Sequence, residues 1–112
     1  MEEVNKIPGK ADQGKTPVDL VPPEAILAIA EVFGFGAAKY EPRNWEGGMR
    51  YGRVYAAAQR HMNAWMSGED TDPESGMPHL WHALTCLSML VTYDARGFSS
   101  LDDRPDKELT PQ

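Results

Sequence analysis

Disulfides are excluded from this 112-residue chain at the outset, because Cys86 is its only cysteine. A reducing compartment is the natural setting for such a sequence. No apolar run approaches the roughly 18 residues that a membrane span requires, and the first ten residues, MEEVNKIPGK, contain no apolar signal core. Positive charge is in short supply: 11 Lys and Arg against 17 Asp and Glu leave a formal net charge of −6. That balance argues against a nucleic-acid backbone or an anionic membrane as the main partner. Small anions stay open as ligands, through local cations or a metal. A chain of this length forms one domain that hides only about 60–65% of its unfolded surface, so a deep cleft within one subunit is not expected. Internal repeats are absent, and the protein reads as cytoplasmic.

Residues 1–19 are rich in Lys, Gly, Asp and Gln and include Pro8 and Pro17, a composition that predicts an extended arm. Residues 20–97 form the expected helical domain. A first helix starts at Pro22-Pro23-Glu24, where proline in the first turn loses no hydrogen bond and Glu24 meets the positive end of the dipole. Ile26, Leu27, Ile29, Ala30 and Phe33 give it an apolar face. Gly34 and Gly36 are expected to interrupt it before Glu41-Pro42 ends it. Residues 41–51 read as a loop. Val54, Ala58, His61 and Trp65 recur at helical spacing over residues 52–67, and His79, His82, Cys86, Met89 and Tyr93 do so over 78–96. The ten-residue connection GEDTDPESGM turns the chain back, making these two helices antiparallel neighbours. From Phe98 to Gln112 the sequence is polar and reads as a flexible tail. The fold class predicted is all-α, a small antiparallel helical bundle that gains burial by self-association.

The segment from His61 to His82 holds all three histidines and four carboxylates, Glu69, Asp70, Asp72 and Glu74. The helical spacing brings the imidazoles toward one end of the hairpin, with the acidic loop over them. Neutral histidines are common ligands of transition metals, and carboxylate oxygens suit Mg²⁺. The alternative is structural: each imidazole satisfied by a carboxylate or a carbonyl, fixing the hairpin. Two formal motifs fail. GKADQGKT, residues 9–16, fits the phosphate-loop pattern, but no apolar strand precedes it and Pro17 biases Thr16 away from a helix. Asp70, Asp72 and Glu74 alternate like calcium-loop ligands, but Ser75 and Trp81 stand where that loop needs glycine and glutamate.

Outside the cluster, Lys15, Lys39, Arg43 and Arg60 are candidates to meet phosphate, and Tyr40, Trp45 and Trp65 to stack on a base. Trp65 also suits a core and Lys39 a surface. Trp45 stands out because it sits in a polar, glycine-flanked loop that offers little reason to pack.

Several blocks in order, DQGKTPVDLVPPEAI, FGAAKYEPRNWEGGMRY, RHMNAWMSGEDTDPESGMPHLWHAL and DDRP, resemble the phage-encoded dATP/dGTP diphosphohydrolase N-terminal domain family. The resemblance implies a part in purine deoxynucleotide metabolism, with matching positions at Lys15, Lys39, Tyr40, Asn44, Trp45, Arg60, His61, Glu69, Asp70, Asp72, Glu74, His79, His82 and Arg104. The helical layout also looks like the MazG-type pyrophosphohydrolases, whose helices carry ExxE and ExxD pairs that hold Mg²⁺. This chain departs from them, with His79-x-x-His82 on the third helix and Arg60-His61 on the second. Taken with the resemblance, the residues lead to metal-dependent hydrolysis of dATP or dGTP to monophosphate and pyrophosphate. His61, His79, His82 and Asp72 would hold a divalent metal, Mg²⁺, Mn²⁺ or a transition ion, with Glu69 and Asp70 as catalytic acids. Lys39, Tyr40, Arg43, Asn44, Trp45 and Arg60 would bind the purine nucleotide. The second reading is a sponge without catalysis that sequesters a host immune signalling nucleotide, in the host cytoplasm; a third is a purely structural subunit.

Overall fold

The computed structural model describes residues 13–105. Three helices carry the fold, α1 (Pro23–Lys39), α2 (Tyr51–Met66) and α3 (His79–Ala95), with short 3-10 turns at Val18–Leu20, Asn44–Gly47 and Ser99–Leu101. Among the described residues there is no strand, only one isolated bridge between Thr71 and Pro78. The all-α expectation therefore holds, and α2 and α3 begin and end within one residue of the spans predicted from apolar spacing. Tyr51 stacks on Tyr93 at one end of the pair, and His61 stacks on His82 at the other, which makes α2 and α3 an antiparallel hairpin. α1 packs against α3. Most of the predicted arm, residues 1–12, lies outside the described residues.

α1 departs from expectation in one respect: it runs unbroken through Gly34 and Gly36. A helical glycine costs about 1 kcal/mol relative to alanine, and the burial of Ala28 and Val32 on the same helix outweighs that local preference. The helix ends where the Tyr40 N–H bonds the Gly36 carbonyl at 2.8 Å. Pro42 then keeps Glu41 out of helical conformation.

The core is built around Tyr51, Val54 and Tyr93, with Trp45, Met49, Met89, Leu90, Phe98 and Leu101 packed against it. The Tyr93 hydroxyl donates to the Trp45 carbonyl at 2.6 Å, tying the loop to α3. Trp45 thus has the packing role that its polar surroundings hid: its ring stacks on Phe33 at 4.8 Å and meets Tyr93 at 6.0 Å.

The tail expected from Phe98 does not begin there. Phe98 stacks on Tyr93 at 5.5 Å, and the Ser99–Leu101 turn seats Leu101 on the core. Asp103 then accepts the Gly52 N–H at 2.7 Å. That bond satisfies a free amide in the first turn of α2, whose N-cap residue Arg50 makes no side-chain cap. Gly48 marks the closest approach: its φ is +102°, and a Cβ there would stand 2.5 Å from Leu101 Cδ1.

Candidate metal centre and adjoining groove

The α2–α3 connection folds back on itself before it reaches the histidines. The Asp72 N–H bonds the Met77 carbonyl at 2.9 Å and the His79 N–H bonds the Asp70 carbonyl at 2.8 Å. Gly68 and Gly76, with φ of +104° and +75°, take the turns that an L side chain resists. Glu69 and Asp72 of the loop are thereby held beside the imidazoles that α2 and α3 supply.

His61 Nδ1 and His79 Nδ1 stand 2.9 Å apart, and His79 Nε2 is 2.7 Å from Glu69 Oε1. A carboxylate only accepts, so the His79 Nε2–H donates to Glu69, and a neutral His79 then presents a bare Nδ1 toward His61. His61, Asp72 and His79 each offer one ligating atom, all within 4.8 Å of one another. His82 stacks on His61 at 4.6 Å, with the rings nearly parallel, while its Nε2 lies 2.6 Å from Ser75 Oγ and 3.7 Å from Asp72 Oδ2. The sequence grouped all three histidines as ligands; the structure gathers two of them with Asp72 and places the third on Ser75 beside them.

Electrostatics favour the ligand forms of His61 and Asp72. Burial, reinforced by the facing His82, holds His61 below its ordinary pKa. Burial does the same to His82, against the opposing pull of Asp72. For Asp72 burial pushes upward, but the Ser75 backbone N–H, at 3.1 Å, together with the Ser75 hydroxyl and the histidines, outweighs it and leaves the carboxyl below its usual value. Neutral imidazoles and an ionised carboxylate are the states that bind metal.

The other acids are placed differently. Asp70 is exposed and contributes its backbone carbonyl to the loop, and Glu69 reaches His79. Glu74 pairs with Lys39 at 2.6 Å, and this bond raises the lysine's pKa.

Beside this centre lies a groove of about 900 Å³, bordered by Phe33, Phe35, Lys39, Tyr40, Arg43, Asn44, Trp45, Arg53 and Met89. Five residues singled out in the sequence, Lys39, Tyr40, Arg43, Asn44 and Trp45, therefore share one concavity. Phe35 joins the two sites: it lines the groove, and its ring meets His82 edge-on at 6.4 Å. Arg43 bonds Glu46 at 2.9 Å, and Glu46 also binds Arg96 at 2.8 Å, the contact that chiefly lowers its carboxyl pKa. Arg60 does not line the groove, although its charge reaches Cys86 and His61. Lys15 is exposed. Arg104 forms two side-chain bonds to Asp102 at the opposite end of the hairpin.

Sequence reasoning missed Ser75, Phe35 and Arg53. Arg53 had a signal: it sits seven residues before Arg60, so the two share one face of α2. Ser75 had none, since its role depends on the loop's folded path.

The family model described as dATP/dGTP diphosphohydrolase, N-terminal, matches residues 5–104. A protein named dATP/dGTP diphosphohydrolase from Salmonella phage PMBT28 is 34% identical over 95 residues, which cover 85% of this chain and 32% of that relative. The chain thus spans about a third of the relative's length. No solved structure matches. With nearly its whole length matched in one frame, this chain belongs to the dATP/dGTP diphosphohydrolase N-terminal domain family.

Proposed function

We propose that this domain carries out metal-dependent hydrolysis of a deoxypurine nucleoside triphosphate, giving the monophosphate and pyrophosphate. The observation that carries this reading is the His61–Asp72–His79 donor set, abutting through Phe35 a groove of nucleotide size. The relative's name supplies the substrate class. His61, His79 and Asp72 would hold a divalent ion, which supplies charge neutralisation at phosphate and an acidified water. Glu69 fixes the His79 ring, and Ser75 fixes both Asp72 and His82.

On the nucleotide side, Tyr40 is the freer aromatic of the groove, because one face of Trp45 already rests on Phe33. The base therefore stacks on Tyr40, with Trp45 as part of the wall. Arg53 and Arg60, two helical turns or roughly 10 Å apart on one face of α2, mark a path for the phosphates from groove to metal centre. Lys39 stands at the junction and exchanges Glu74 for phosphate.

One observation favours capture without hydrolysis. The donor set holds a single carboxylate, and neither α2 nor α3 bears the acidic pair of MazG-type enzymes. Chromatography of dATP and dGTP after incubation with the protein and Mg²⁺ or Mn²⁺ separates the readings. Hydrolysis yields monophosphate and pyrophosphate, lost in Asp72→Asn. Nucleotide depleted from solution but recovered intact after denaturation would replace hydrolysis with sequestration.

A further inference from the structure

We infer that the His61–Asp72–His79 centre selects a first-row transition dication of the Mn²⁺–Zn²⁺ series and discriminates against Mg²⁺. This deepens the metal element of the proposed function and stands without hydrolysis, because it concerns the ion alone.

The donor set decides the ion class. Two imidazoles and one carboxylate offer nitrogen for two of three protein ligands. Mg²⁺ takes oxygen ligands in a near-ideal octahedron and gives up water reluctantly, whereas imidazole suits the later first-row metals. The spacing agrees: tetrahedral coordination at ~2.0–2.1 Å sets two nitrogens roughly 3.3 Å apart, and the two Nδ1 atoms already stand at 2.9 Å. No large rearrangement separates the present arrangement from a ligating one. His61 has only to carry its proton on Nε2, leaving Nδ1 bare.

The surroundings are those of a built site. Glu69 accepts the remaining N–H of His79, the carboxylate–histidine pairing that orients metal-bound imidazoles and raises their basicity. Asp72 is aimed by the Ser75 N–H. His79 is itself buried, at 4% exposure, which keeps water from competing on that side. The acids that would suit Mg²⁺ point elsewhere: Glu74 is on Lys39, and Asp70 is exposed.

Cobalt titration of the full chelator-treated chain tests this by visible ligand-field absorption, with no nucleotide present. Bands that saturate at one Co²⁺ per chain are expected. Equimolar Zn²⁺ should bleach them, and about a hundredfold excess of Mg²⁺ should not. Asp72→Asn, nearly isosteric, should weaken Co²⁺ binding at least tenfold, and Glu69→Gln should weaken it about tenfold through His79 orientation. Far-UV circular dichroism checks that both variants are folded; His61→Gln serves if Asp72→Asn is not. Absent bands, competition by Mg²⁺ as effective as that by Zn²⁺, or unchanged binding in the folded variants would overturn the inference. Intact Co²⁺ binding beside inert dATP and dGTP would leave this inference standing and sink the hydrolase reading.

Discussion

Tyr93 has no exposed surface, yet its hydroxyl is satisfied by the Trp45 carbonyl and its ring contacts Trp45, Tyr51 and Phe98. Burial raises its pKa, so the phenol stays protonated and donating. Tyr93→Phe removes this bond but leaves the Trp45 carbonyl its Gly48 N–H partner at 3.0 Å, at a cost of about 0.5–1.5 kcal/mol. Tyr93→Ala also opens a cavity and costs roughly 3–5 kcal/mol. Urea unfolding measures both, and equal losses would mean that the hydrogen bond, not the packing, holds the loop. At this scale the sequence was legible where side-chain type limits the choices: three histidines with acids between them announce ligation or its structural equivalent. It was opaque where a role depends on distant partners. Trp45 looked like an exposed stacking platform because its packing partners, Phe33 and Tyr93, lie 12 and 48 positions away.

Apolar spacing located α2 and α3 closely because both bury a face, and burial enforces the helical period. It misjudged α1, where local propensity and tertiary packing conflict and packing wins. The conflict has a measurable residue. A Cβ at Gly34 would meet nothing within 4 Å, and Gly34 is exposed in a continuous helix. Gly34→Ala should therefore stabilise the protein by about 0.5–1 kcal/mol, seen as a higher melting temperature. A decrease would show that the chain needs the flexibility of α1 at that point. The Phe98–Arg104 segment escaped for another reason: its composition is polar, and only Phe98 and Leu101 are apolar enough to dock. Its hold on α2 comes from one carboxylate, Asp103, on a helix-terminal amide, which no periodicity can reveal.

For the molecule as a whole, one face remains unpartnered among the described residues. Leu84, Leu87 and Val91 form an exposed stripe on α3, and Tyr55 and Met62 are exposed on α2. Tyr55 and Val91 line one shared hollow, which joins the two stripes. Stable interfaces bury about 800 Å² per partner, and these exposed apolar side chains are the ones that a partner would cover. The stripes themselves are apolar, with Asp94, Asp103 and Arg104 at the hollow between them. Light scattering should therefore show a dimer at micromolar concentration that Leu87→Glu dissociates; a wild-type monomer would contradict this. The expectation of self-association drew on size alone and named no face, because exposure is decided only once α1 has chosen its side of α3. Under the proposed function, the histidine centre hydrolyses a deoxypurine triphosphate beside the groove. Phosphorus NMR of dGTP with the protein and Mn²⁺ reads it directly, since it identifies the bond that breaks. Growth of pyrophosphate and dGMP signals, abolished in folded Asp72→Asn, is the result predicted. Unchanged dGTP, or turnover that survives that substitution, would contradict it.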